Sequence, residues 1–168
     1  MPTLEQRIQQ LEDEAAIRNL VAGFADATTR HDMTALSALW KQHGIFTIGA
    51  PLLNVCRGIE EIIGLISKLR GDKEFFVQFV NSGVISVNGD HATARWLIEE
   101  VAKGGDKFYH NYCVVSDAME KVNGEWLFTE RFFHFMYLDF SRFTGTLTRF
   151  PIHYRPVETV CGCARLGA

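Results

Sequence analysis

Taken at alternate positions, three polar residues interrupt apolar, strand-like rows: Glu100 after Trp96 and Ile98, Asn111 between Tyr109 and Cys113, and Arg131 ahead of Phe133 and Phe135. A carboxylate with apolar neighbours holds its proton more tightly unless a cation pairs with it. A group of that kind suits proton transfer to or from a bound molecule. Glu100 is therefore expected to act as a base, with Arg131 and Tyr109 steadying a developing oxyanion. The amides of Gln78 and Asn111 can orient a ligand by hydrogen bonding. An inert Glu100–Arg131 bridge that only neutralises two charges is the alternative.

Other chemistries find less support. Cys161-Gly162-Cys163 has one intervening residue, whereas zinc and redox motifs use two or more. The four cysteines read as reduced thiols. His110 and His134 could approach one another across neighbouring strands, but no third ligand has suitable spacing, and interface histidines are the reading kept. No metal and no cofactor are expected. With 17 basic against 20 acidic side chains the net charge is −3, which argues against a nucleic-acid partner. No segment has the composition of a membrane span or a secretion signal, and a cytoplasmic location is expected.

The elements that must position these groups fall into two halves. Apolar residues recur at helical steps from Leu4 through Ile8, Leu11, Ala15, Ile17, Leu20, Val21 and Phe24, which predicts one core-facing stripe. Asp32 is a good N-cap for a second helix reaching Trp40. A short strand at 44–48 and a third helix at 59–69 follow. From Phe75 the chain turns β-branched and aromatic, in four long stretches separated by Asn88-Gly89-Asp90, Gly104-Gly105 and Asn123-Gly124. These are hairpin signals. Such long strands twist strongly, so the prediction is an α+β fold: a strongly curved antiparallel sheet wrapped around N-terminal helices and enclosing a pocket.

Alternation along the strands sorts the faces. A three-residue loop at 88–90 sets Gln78 opposite Glu100, a two-residue turn at Gly104-Gly105 sets Glu100 opposite Tyr109, and a three-residue loop at 122–124 sets Cys113 opposite Phe133. The expected inner face then carries Gln78, Trp96, Ile98, Glu100, Tyr109, Asn111, Cys113, Val115, Arg131, Phe133, Phe135 and Tyr137. That is an aromatic lining with few polar groups, as small-molecule pockets have. The outer face, with Phe108, His110, Tyr112, Val114, Phe128, Phe132, His134 and Met136, is too apolar to stay wet. A second copy of the chain is the expected cover, giving a homo-oligomer.

The stretches Glu14-Ala15-Ala16-Ile17-Arg18-Asn19-Leu20 through Arg30-His31-Asp32, Val84 to Trp96, and Met119 to Trp126 resemble the SnoaL-like branch of the nuclear transport factor 2-like superfamily. The resemblance covers about residues 4–140. It implies a cone-shaped domain at 1–140, followed by an extended tail at 141–168 that covers a pocket or a neighbouring subunit. The superfamily includes ketosteroid isomerase, scytalone dehydratase, a dehydrochlorinase, polyketide cyclases and non-enzymatic adaptors. Its enzymes place a tyrosine and an aspartate on the first long helix and a histidine on the facing strand. The resemblance puts Phe24, Thr29 and Gln78 at those three positions, where none can take up a proton near neutral pH. Asp26, one turn before Thr29, could bring a carboxylate to the same cavity. Arg131 matches a basic position that lines the dehydrochlorinase pocket. The resemblance thus implies a cofactor-free lyase or isomerase acting on a small hydrophobic, oxygenated molecule (aromatic, terpenoid, steroid or polyketide). A non-catalytic binding or assembly protein is the alternative.

Overall fold

The structure, a computed structural model, describes residues 1–71 and 73–147. The cysteines at 161 and 163, and the tail beyond 147, lie outside the described residues. Helix α1 spans Leu4–Arg30. The Thr3 hydroxyl accepts from the Gln6 backbone, and the Gln6 amide oxygen accepts from the Thr3 backbone, closing a reciprocal cap. At the other end His31 takes a left-handed conformation and Asp32 caps α2 (Met33–Ser37), accepting from Ala35 N at 2.9 Å. Burial along α1 begins at Asp13, whose carboxylate accepts from Trp126 Nε1 at 3.0 Å and pairs with Lys121. The stripe expected from Leu4 is therefore corrected. Leu4, Ile8 and Leu11 remain 69%, 46% and 66% exposed, because the sheet covers the helix only from Asp13 onward.

Six strands form one sheet in the order β2-β1-β6-β5-β4-β3. They are β1 (Trp40–Ile48), β2 (Asn54–Arg57), β3 (Phe75–Asn88), β4 (His91–Gly104), β5 (Lys107–Val122) and β6 (Glu125–Asp139), with α3 (Ile59–Gly71) between β2 and β3. The fold is α+β, with N-terminal helices against a curved, unclosed sheet. Its last four strands form the antiparallel meander read from the hairpin signals. Strand β1 departs from that reading by running parallel to β6, and β2 was not foreseen.

The strand faces arise differently from the loop count. All three turns hold two residues: Asn88 faces His91, Gly104 faces Lys107, and Val122 faces Glu125. Glu100 consequently lies opposite Asn111, not Tyr109, and Cys113 lies opposite Phe135, not Phe133. Register irregularities between Val80 and Gly83, and between Ala118 and Met119, shift the pairing by one residue and restore the expected face at Gln78 and Arg131. Nearer the hairpin tip, β6 keeps the other parity. Phe128, expected outside, is fully buried in the core with Phe24, Trp40 and Phe46. A further irregularity beside Tyr112 turns Tyr137 outward to 50% exposure and Leu138 inward, correcting Tyr137 as a lining residue.

Candidate functional site

Between the helices and the concave sheet lies a cavity of about 460 Å³. Its walls are largely aromatic and aliphatic: Phe24 from α1, Phe46 and Ile48 from β1, Ile66 and Leu69 from α3, Phe76 from β3, and Phe133, Phe135, Leu138 and the following Phe140. The hairpin residues Asp106 and Lys107 are exposed and mark the mouth, near the half-buried Lys73 and Arg70. Arg70 is fixed there by donating to Thr28 O, Thr29 O and Lys73 O, with its guanidinium 5.3 Å from the Phe76 ring centre.

One polar cluster interrupts the apolar wall. Glu100, 9% exposed, accepts from Gln78 Nε2 at 2.6 Å through Oε1, and from Tyr109 Oη and Asn111 Nδ2, each at 2.8 Å, through Oε2. Gln78, Glu100 and Tyr109 all line the cavity, while Asn111 lies fully buried behind them. Adjacent strands make this possible, since Gln78 on β3, Glu100 on β4 and Asn111 on β5 share one cross-strand row. Burial, and then the neighbouring Glu100 charge, push the Tyr109 phenol far above its usual range, so it keeps its proton and donates. Cys113 sits beneath the row, donating Sγ–H to Asn111 Oδ1 at 3.0 Å. Its thiol is pushed upward by burial and then by Glu100, so it stays protonated.

Arg131 is not part of this cluster. It is fully buried, but its partner is Asp117, with Nε 3.4 Å from Oδ1, and it does not line the cavity. The guanidinium is sandwiched by aromatic rings, 4.1 Å from the centre of Phe24, 4.8 Å from Phe128 and 5.4 Å from Phe133. Phe24 thus lies against both the cavity and the cation. Neither the expected role of Arg131 beside Glu100 nor the alternative Glu100–Arg131 bridge is found; Arg131 pairs with Asp117, which it faces across the β5–β6 ladder. Burial raises the Asp117 carboxyl to about 6, against the opposing pull of Arg131 and the nearby Trp96 indole, and it lowers Arg131. The indole lies close enough to favour the Asp117 charge but outside hydrogen-bond geometry. Asp117 was missed in the sequence, although it is the next odd position after Val115 on the same strand.

The remaining expected residues scatter. Asp26 points to solvent and pairs with Arg30 at 2.9 Å, so it does not reach the cavity. Thr29 accepts from the Gln78 backbone N–H at 3.2 Å, and its neighbour Thr28 is the residue that lines the cavity. Trp96 is buried against Gly83 and does not touch the cavity. No group of three or more His, Cys, Asp or Glu residues that could hold a metal ion occurs among the described residues. None of the described helices is long and apolar enough to cross a membrane.

Residues 9–132 match the SnoaL-like domain family. No curated protein matches the chain. Among solved structures, the hexachlorocyclohexane dehydrochlorinase LinA-type3 from Novosphingobium barchaimii superposes with a TM-score of 0.73 at 15% identity, covering 86% of this chain and 99% of its own. An NTF2-like protein from Novosphingobium aromaticivorans gives 0.69 at 23% identity, covering 81% and 92%. A candidate scytalone dehydratase from the same organism gives 0.72 at 14% identity, covering 88% and 97%. At these identities the likeness speaks for the fold alone.

Proposed function

Because the chain belongs to the SnoaL-like domain family, we propose that it is a cofactor-free lyase or isomerase acting by proton transfer on a small hydrophobic, oxygenated molecule. Glu100 is the base. It takes a proton from a substrate carbon, and the electron pair left behind forms a new double bond as a leaving group departs, or is re-protonated at another carbon. Gln78, Tyr109 and Asn111 hold the carboxylate in one orientation, which reduces the reorganisation needed at the moment of transfer. Arg131 acts at a distance, behind Phe24, and does not touch the reacting atoms. The observation that carries this reading is a buried carboxylate with three donors, set in the largely apolar inner wall of a 460 Å³ cavity whose other charged residues stand at its mouth.

The test starts from ligands found by thermal shift in a panel of aromatic, terpenoid, steroid and polyketide compounds, since binding raises the melting temperature. Glu100→Gln is expected to lower turnover of an accepted substrate by about 100-fold or more. Unchanged turnover in the folded variant sinks the assignment. A second reading, a binding protein without catalysis, draws support from Thr29 and Gln78. Their tie at 3.2 Å fits the facing positions where relatives of the fold carry proton-handling groups, and neither residue can carry a proton here. Binding without turnover of any ligand in the panel would favour it.

The apolar outer sheet face is proposed to mate with a second copy of the chain. Phe79, Leu97, Tyr112 and Met136 there are 48%, 44%, 39% and 58% exposed, more than a lone subunit ordinarily leaves wet in one patch.

A further inference from the structure

The cavity carries a carboxylate at its inner wall, Glu100, and two ammonium groups at its mouth, Lys73 and Lys107. Lys73 is held there by its backbone, whose N–H donates to Arg70 O and whose carbonyl accepts from Arg70 Nη1, both at 3.0 Å. The ion-paired lysines of the described residues are Lys41, Lys103 and Lys121, so Lys73 and Lys107 are not among them. Glu74, the residue after Lys73, turns to Lys103 at 2.6 Å and accepts from Gly105 N at 3.1 Å. Even with Asp72 of the sequence counted against them, Arg70, Lys73 and Lys107 outnumber the acids of this segment and turn, Asp72 and Asp106. Lys107 pairs with Gly104, four residues along β4 from Glu100, so about 13 Å of strand separates the positive end from the negative one.

An anion on an apolar frame has one favourable way into such a chamber. Glu100 repels its charge and the lysines attract it, so the frame enters first and the charge stays at the mouth. A cation of the same shape would have to pass the lysines to reach a carboxylate that three donors already satisfy. We propose that the cavity takes amphipathic anions, an apolar frame ending in one carboxylate, sulfate or phosphate group, with Lys73 and Lys107 holding that group at the mouth. The end of the frame remote from the anion then meets Glu100. The inference rests on the reading of this cavity as a small-molecule site, and it gives that molecule a charge and a direction.

The experiment titrates the full chain calorimetrically with three probes on one frame: 4-biphenylacetate, 4-biphenylacetamide and 4-biphenylethylamine. At low salt the acid is expected to bind about fivefold tighter than the amide or better. That preference should fall to about twofold or less in about 0.5 M sodium chloride, which screens charges at a wet mouth. The double variant Lys73→Gln, Lys107→Gln should show the same fall at low salt while its affinity for the amide stays within about threefold. Acid and amide binding alike in the unmodified protein, tightest binding of the amine, or no binding of any probe up to about 1 mM would overturn the proposal. So would an acid preference that survives in the double variant. Should that variant not fold, the three probes and the salt series on the unmodified protein decide alone. Acid and amide binding alike, together with turnover lost in Glu100→Gln, would remove this inference and leave the enzymatic reading. An acid preference in a protein that turns over nothing would do the reverse.

Discussion

Asp117 is the residue whose environment makes the clearest statement about stability. Its carboxyl rises from 3.8 to about 6, chiefly through burial and despite Arg131. Between those values the folded protein binds the proton more tightly than the unfolded chain does, so this group's contribution to stability declines as pH rises through that window. It is level above about pH 6. The decline amounts to about 3 kcal/mol. Asp117→Asn should remove it, so urea denaturation of both proteins at several values from pH 4 to 7 should show a stability difference that changes with pH. Parallel curves would contradict the assignment. That Glu100, Gln78 and Asn111 belong together could be read from strand alternation, because each is the odd polar residue in an apolar row. Which cation answers which acid could not. Arg131 has Asp117 within reach only through the β5–β6 register, and no spacing in the linear sequence announces that register.

Among the elements, the long hairpins show how far pattern reading goes. Strand β4 displays its faces openly: Ala92, Ala94, Trp96, Ile98, Glu100 and Ala102 are buried and their neighbours are not. Strands β3 and β6 do not, because each is interrupted where the ladder slips by one residue. Counting from a two-residue turn alone would have placed Arg131 outside, whereas an assumed three-residue loop reached the right face with a register two residues off. The slip near Gly83 has a readable cause. A Cβ there would lie 2.0 Å from Trp96 Cε3, so the indole packs directly on the glycine backbone. Gly83→Ala is accordingly expected to destabilise the protein by about 1–3 kcal/mol through overpacking. Thermal denaturation would measure this, and an unchanged midpoint would show that the indole has room to move.

At the scale of the molecule, one sheet divides two environments. Its concave side faces the helices and the cavity, and its convex side carries Leu97 opposite Val114 and Tyr112 opposite Tyr137. If that convex side joins two copies, light scattering should give a dimer mass at micromolar concentration. Leu97→Arg, which sets a charge in the middle of the apolar area, should yield a folded monomer. A native chain that is monomeric at every concentration would assign the face to something else. The α+β architecture was legible because helical and alternating periodicities occupy separate halves of the chain. The parallel pairing of β1 with β6 was not, since it joins segments more than eighty residues apart and depends on how α3 and the intervening strands bring the chain back.

Phe24 is a partition one ring thick, lining the hollow while a guanidinium lies 4.1 Å from its centre. Trimming that ring to a small side chain would uncover a positive charge that the fold already houses. An enlarged chamber and an anion-seeking floor would arrive together, by subtraction at one codon. The interior thus keeps a buried cation one aromatic ring away from its cavity.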